Sequence, residues 1–199
     1  MVVEVSILDF AKFVGATTPS ARIDAVRRSK DPYQPAHDFY KGIREAIVLG
    51  HANDDLAVRL QEAIRRANAR RRPSYEESAA GYLRFTRRRT FDWLEKPRSF
   101  RWDEGDLRVR VNPEIRALLR GRATVLKLWF SAKPIPTQGR RAMLHLLRHA
   151  YRHEDVAVFA VQRGEILRPG VPIPQAEAFL GSEADAFLGA WRRLPQSSS

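Results

Sequence analysis

Apolar positions in the first ninety residues recur with the period of an α-helix. Leu56, Leu60, Ile64 and Ala67 lie three or four residues apart, which gives a helix that begins near Asn53 one apolar face. The same period, with proline, glycine and capping residues at the segment ends, predicts further helices over 21–30, over 37–49 and after a capping box that begins at residue 74. The sequence therefore predicts an N-terminal helical lobe over residues 1–92.

Near Trp93 the pattern changes to that of β-strands. Residues 99–112 form two short alternating segments around an acidic turn, which predicts a hairpin. The runs 123–130 and 156–162 are almost continuously apolar, as is typical of buried strands. Between them, the segment 137–152 has one apolar face and predicts a helix that crosses over from one strand to the other.

This order of elements predicts an α+β fold, with a mixed β-sheet that one crossover helix spans. We expect the mixed-sheet core over residues 93–172 and a C-terminal helix, packed on the core, over 173–195. The glycine at 181 predicts a break in that helix. Residues 196–199 are expected to form a disordered tail.

Charge and composition narrow the classes of partner. The chain has 199 residues, with 35 Lys and Arg against 23 Asp and Glu, and a formal net charge of +12. Such an excess favours a polyanionic partner, nucleic acid above all.

The absence of cysteine excludes disulfide scaffolds, thiolate zinc sites and cysteine nucleophiles. The acidic N-terminus does not match a secretory signal and no apolar run reaches the ~18 residues of a membrane helix, so we expect a soluble cytoplasmic protein without membrane partners.

Lys127 is the residue that the apolar pattern explains least. It lies within the strand 123–130, where a lysine without a partner is costly to bury. By strand alternation it shares a face with Val125 and Trp129. It could lie on an edge strand, or extend past Trp129 to solvent. It could also present its ammonium group to a phosphate or a water molecule from the middle of a sheet.

The surroundings of Lys127 resemble a known family. Asn112-Pro113-Glu114 follows the predicted hairpin, Val125-Leu126-Lys127 lies on the next long strand, and a helix and another strand follow. Over residues 93–168 this order resembles the core of the PD-(D/E)xK nucleases. In that family an aspartate near the end of the second core strand and the acidic residue of an (Asp/Glu)-x-Lys motif on the third hold a divalent metal, which activates water, and the lysine assists the nucleophile. The resemblance places Asn112 at the aspartate position and Lys127 at the lysine position.

The departures from the family pattern favour a protein that does not cleave its ligand. Val125 stands at the acidic position and cannot ligate a metal, and asparagine is a poor replacement for a carboxylate. The resemblance thus implies an inactivated scaffold without a cofactor, which retains a phosphate-binding surface. The alternative is an active nuclease with Mg²⁺ or Mn²⁺ held by Glu45, Asn112 and Glu114, and with Lys127 beside the attacking water.

Basic residues in three groups are candidates for nucleic-acid contact. Two groups follow predicted helices, where cations also complement the helix dipole. Tyr75 and Tyr82 nearby could supply stacking partners, but their helical spacing also predicts that both are buried core residues. The third group follows the strand 123–130 and continues along the crossover helix, where the histidines would bind anions more strongly when protonated. An ordinary solvated helix face would show the same histidine spacing. The candidates are Arg70, Arg71, Arg72, Arg87, Arg88, Arg89, Lys133, Arg140, Arg141, His145 and His149.

The sequence therefore predicts a nucleic-acid-binding protein that uses an arginine-rich face on an inactivated nuclease-like scaffold. Two alternatives stay open: the active metal-dependent nuclease, and a basic subunit that binds an acidic protein partner through its helical lobe. The chain contains no P-loop, no dinucleotide-binding glycine motif and no G-x-S-x-G nucleophile motif, so nucleotide-dependent and acyl-transfer chemistry have no support.

Overall fold

The secondary structure is that of an α+β protein, as the sequence predicts. A computed structural model describes residues 2–30, 38–87, 91–170 and 175–195. The helices in these residues are α1 (Ile7–Gly15), α2 (Pro19–Lys30), α3 (Lys41–Ala52), α4 (Leu56–Arg66), α5 (Arg72–Arg87), α6 (Thr137–Ala150) and α7 (Ala176–Arg193). The strands are β1 (Val3–Ser6), β2 (Phe91–Glu95), β3 (Phe100–Glu104), β4 (Leu107–Val111), β5 (Ile115–Leu119), β6 (Arg122–Trp129), β7 (Asp155–Ala160) and β8 (Glu165–Leu167).

A five-stranded sheet forms the centre of the fold, in the order β2-β5-β6-β7-β8. Strands β6 and β7 are parallel, with Lys127 opposite Val158, and the other neighbours are antiparallel. Helix α6 connects β6 to β7, which confirms the predicted crossover. Because β6 is the middle strand and is covered on both faces, its side chains are buried from Thr124 to Leu128.

The predicted hairpin is confirmed but belongs to a second, smaller sheet. Strands β3 and β4 pair antiparallel, with Trp102 opposite Val109, and Gly105 takes a positive φ of 53° in the turn between them. Strand β1 lies parallel to β4 on its other side. Residues 3–6 were expected within the helical lobe, and that expectation is wrong. A four-residue strand whose partner lies about a hundred residues along the chain leaves little local signal.

Two hydrophobic cores lie on the two faces of the five-stranded sheet. One contains the buried side chains of α1, α2, α6 and α7 together with those of the small sheet. The other contains those of α3, α4 and α5, with Tyr82, Phe85 and Phe159 near its centre. The helices before residue 92 are therefore divided between the two faces and do not form one lobe.

Several helices differ in detail from the predicted ones. Helix α7 continues through Gly181 and Ser182, where the Ser182 hydroxyl donates to the Phe179 carbonyl, so the predicted break is wrong. Helix α6 ends at Ala150, two residues before the predicted end at residue 152. Helix α5 begins at Arg72, with a proline in its first turn, so Ser74 lies inside the helix and is not its cap.

Helix α6 lies unusually close to α1, and a glycine permits that contact. A Cβ atom added to Gly139 would lie 2.3 Å from the Ala11 carbonyl oxygen, a backbone atom that cannot rotate away. The next turns of α6 bury Ala142, Met143 and Leu146 in the same core. These contacts fix which face of α6 points inward and therefore which face is left to solvent.

We predict that Gly139→Ala destabilises the fold. The added methyl requires the α1 backbone to move, and such overpacking costs about 1–3 kcal/mol, which outweighs the roughly 1 kcal/mol that alanine gains in helix propensity. The measurement is the free energy of unfolding in urea.

The matched control is Gly189→Ala in α7, because a Cβ atom there meets nothing within 4 Å. This variant should be as stable as the parent, or more stable by up to about 1 kcal/mol. If Gly139→Ala behaves in the same way as Gly189→Ala, the close packing of α6 on α1 is wrong.

Candidate functional site

The outer face of α6 forms one wall of a basic groove. The opposite wall is Arg168, Pro169 and Gly170, which follow β8, and the volume of the groove is about 250 Å³. The α6 residues that line it are Thr137, Arg140, Arg141, Leu144, His145 and Arg148. They recur every three or four residues and hence share one face of the helix.

The core determines this arrangement. The apolar side chains of α6 pack inward, so the arginines that alternate with them along the helix can only point outward. Strand β8 pairs with β7, with Leu167 opposite Val158, and this pairing brings Arg168 alongside the helix. The groove therefore combines an amphipathic helix with the end of a short strand.

Positive charge in the groove is not balanced by carboxylates of the described residues. Within those residues, Arg140, Arg141 and Arg148 form no ion pair, and Arg141 Nη1 donates to the Gln138 side-chain oxygen at 3.4 Å. Arg168 lies 3.7 Å from Asp155, whose other carboxylate oxygen lies 3.2 Å from Arg122. One carboxylate shared between two guanidinium groups leaves the groove an excess of positive charge.

The pKa of His145 depends on the positive charge of the groove. Its partial burial, and then the positive charges of Arg148 and Arg141, lower the pKa of its imidazole. Both causes disfavour the protonated form. An anion that enters the groove would offset the arginine charges and so favour protonation of His145.

The other two candidates near α6 do not line the groove. His149 is half-buried, one turn beyond His145. Lys133 is exposed in the connection before α6, and its carbonyl accepts a hydrogen bond from Trp129 Nε1 at 3.1 Å. The structure thus separates the predicted third group into residues that form the groove and residues that do not.

The arginines around the α4–α5 connection lie with the helices on the other face of the sheet. Arg70 is exposed, the Arg71 guanidinium lies 5.7 Å from the Phe39 ring centroid, and Arg72 donates to the Ala67 carbonyl at 3.3 Å. Arg87 is exposed in the last turn of α5. Arg88 and Arg89 lie outside the described residues.

The aromatic residues expected near these arginines are core residues. Tyr75 and Tyr82 are buried, and Tyr82 donates or accepts a 2.8 Å hydrogen bond with His51 Nε2. Burial lowers the pKa of His51 to about 4. Neither tyrosine presents a ring for base stacking, and the burial of both that their helical spacing predicts is confirmed.

Asn112, Glu114 and Lys127 lie together, but in the protein interior. The Lys127 ammonium group donates to Glu114 Oε1 at 2.5 Å and to the Asn112 carbonyl at 2.9 Å. The other Glu114 oxygen accepts the Leu128 backbone N–H at 2.8 Å. Lys127 and Glu114 are only 1% and 6% exposed, so their charges neutralise each other away from solvent. Two structural hypotheses for Lys127 are therefore wrong: it does not lie on an edge strand, and its side chain does not extend to solvent.

The third ligand expected for the alternative metal site lies elsewhere. Glu45 is exposed on α3 and lies 3.8 Å from Lys41. Helix α3 packs on the sheet face that buries Leu126 and Leu128, whereas Lys127 points to the opposite face. The structure does not bring Glu45 to Glu114. Within the described residues, no three metal-ligating side chains cluster.

Sequence reasoning did not identify Arg168 as part of a site. Nothing near it in the chain indicates a function, because its place depends on the pairing of β8 with β7. By contrast, Arg148 lies on the same helix face as Arg141 and His145, and the helical spacing alone groups these three residues.

Comparisons with protein-family models, curated proteins and solved structures find no match. No helix in the described part of the chain is long and apolar enough to cross a membrane.

We predict that Lys127→Met lowers the free energy of unfolding by about 3–5 kcal/mol, because it leaves the Glu114 carboxylate buried without its cation. The double variant Lys127→Met/Glu114→Gln should recover more than about 1 kcal/mol of this loss. The amide keeps an acceptor for the Leu128 N–H and carries no charge. Urea unfolding of the single and double variants measures the difference. A double variant that is less stable than Lys127→Met would contradict the buried ion pair.

Proposed function

We propose that the protein binds nucleic acid, with phosphate groups seated in the groove between α6 and residues 168–170. The observation that carries the proposal is the set of three arginines on one face of α6 that have no carboxylate partner among the described residues, with Arg168 facing them. A guanidinium group donates two parallel hydrogen bonds to phosphate oxygens, and it stays charged at any physiological pH.

The charge of the whole chain supports this assignment. A net charge of +12 attracts polyanions over distances longer than a hydrogen bond and raises their association rate. The concave shape of the groove adds to this effect, because surrounding protein of low dielectric focuses the field of its arginines.

The interior pair supports binding in preference to catalysis. In a metal-dependent nuclease the carboxylates must face metal and solvent. Here the Glu114 carboxylate faces Lys127 and a backbone N–H, and Glu45 lies on the other side of the sheet. We therefore propose a binding protein on an inactivated nuclease-like scaffold.

The first test compares two triple variants that each remove three positive charges. Arg140→Gln/Arg141→Gln/Arg148→Gln should weaken binding of a fluorescent oligonucleotide about a hundredfold, and should reduce the log–log salt slope by about 2. The measurement is fluorescence anisotropy at several salt concentrations, with single- and double-stranded DNA and RNA as separate probes.

The matched control is Arg65→Gln/Arg70→Gln/Arg87→Gln. These three residues are exposed around α4 and α5, and none has a carboxylate partner within the described residues. The control should lose less than about a third of the binding free energy that the groove variant loses. If the control variant loses more binding free energy than the groove variant does, the interface lies on the α4–α5 side. If the parent protein binds none of the probes at low salt, the basic surface serves an acidic protein partner and the proposal fails.

The second test uses pH. Because a bound anion offsets the arginine charges around His145, the pKa of its imidazole should be higher in the complex than in the free protein, and binding should take up a proton. Affinity for an oligonucleotide with 5′- and 3′-hydroxyl ends should then rise about three- to tenfold as pH falls from about 7.5 to 5.5. Phosphodiesters do not titrate in this range, so the change comes from the protein.

His145→Gln should flatten this pH profile, whereas His149→Gln, outside the groove, should retain it. A profile with the same slope in His145→Gln as in the parent would show that the anion does not bind beside His145.

A further inference from the structure

We propose that the groove recognises a terminal phosphomonoester of a nucleic acid in preference to an internal phosphodiester of its backbone. This inference rests on the proposed function and names the chemical group that the groove takes.

The size of the groove is the first argument. Its volume of about 250 Å³ lies below the ~300–1,000 Å³ of sites that enclose a small organic ligand. It can hold a phosphate group with part of a sugar, but not a complete nucleotide together with its neighbours.

The chemistry of the walls is the second argument. Among the described residues that line the groove, none is aromatic, so a base would find no surface on which to stack. The walls instead supply guanidinium groups, the Thr137 hydroxyl and the His145 imidazole, all of which can donate hydrogen bonds to phosphate oxygens. The groove is therefore suited to the phosphate itself.

The charge balance is the third argument. Four arginines converge on this small volume, and Asp155 compensates part of the charge on Arg168. An internal phosphodiester brings one negative charge and two free oxygens. A terminal monoester brings about −1.5 to −2 charges and three acceptor oxygens. The monoester thus matches the number of donors and charges more closely than the diester does.

The experiment is a competition assay. A fluorescent oligonucleotide, labelled internally, is displaced by unlabelled oligonucleotides of about 12 nucleotides that carry a 5′-phosphate, a 3′-phosphate or hydroxyl groups at both ends. We expect one of the two phosphorylated competitors to displace the probe at about tenfold lower concentration than the hydroxyl form. The preferred end identifies the polarity of the bound strand.

Arg168→Gln should remove this preference while it reduces binding of the hydroxyl competitor by less than about threefold, because the other arginines still attract the backbone. The control Arg65→Gln should keep the full preference. Inorganic phosphate should displace the probe only at concentrations at least about a hundredfold higher than the phosphorylated oligonucleotide, since it lacks the attached chain.

The failure of this inference is distinguishable from the failure of the proposed function. Equal displacement by all three competitors, with binding still lost in the triple α6 variant, would overturn the end-recognition proposal and leave nucleic-acid binding in place. Displacement by inorganic phosphate as efficient as that by the phosphorylated oligonucleotide would overturn it in favour of a free-phosphate site. Absence of binding by every oligonucleotide would overturn both.

Discussion

The packing of α6 against α1 and the central sheet is the contact on which the rest of the structure depends. Gly139 lets the two helix backbones approach closely, and the apolar residues that follow complete one hydrophobic core. With that face buried, the arginines of α6 have no position other than the surface. The crossover that joins β6 to β7 thus also creates a charged wall, and β8 supplies the facing wall because it pairs with β7. The same packing contacts therefore determine both the fold and the position of the groove.

The pair formed by Lys127 and Glu114 acts at the junction of the two sheets. The segment from Asn112 to Glu114 connects β4 of the small sheet to β5 of the large one. The Lys127 ammonium group donates hydrogen bonds to the Asn112 carbonyl and the Glu114 carboxylate of this connection. Buried ion pairs contribute little net stability relative to apolar residues of the same volume, but breaking one is costly. The pair therefore fixes the position of the connection. It also engages the Glu114 carboxylate and the Lys127 ammonium group, which a catalytic site would need to expose.

Local patterns in the sequence predict much of the fold. The periods of the apolar residues identify α6, β6, β7 and the β3–β4 hairpin, because each has a clear amphipathic or buried pattern over its own length. Strand β1 and the division of the early helices between two sheet faces depend on contacts between distant parts of the chain, and no local pattern contains them. The candidate site divides in the same way. The helical period places Arg140, Arg141 and His145 on one face, whereas the position of Arg168 depends on strand pairing. Glu45 was expected beside Glu114, but its helix packs on the opposite face of the sheet from Lys127.

Binding of phosphate groups between α6 and residues 168–170 is the central claim, and NMR of the arginine side chains tests it most directly. Proton–nitrogen spectra of the Nε–H groups would be recorded as a short oligonucleotide is added, with assignments from single Arg→Lys variants. The account predicts that the Nε–H signals of Arg140, Arg141, Arg148 and Arg168 shift first and most. Shifts that begin instead at Arg65, Arg70 and Arg87, with the groove arginines unchanged, would contradict it.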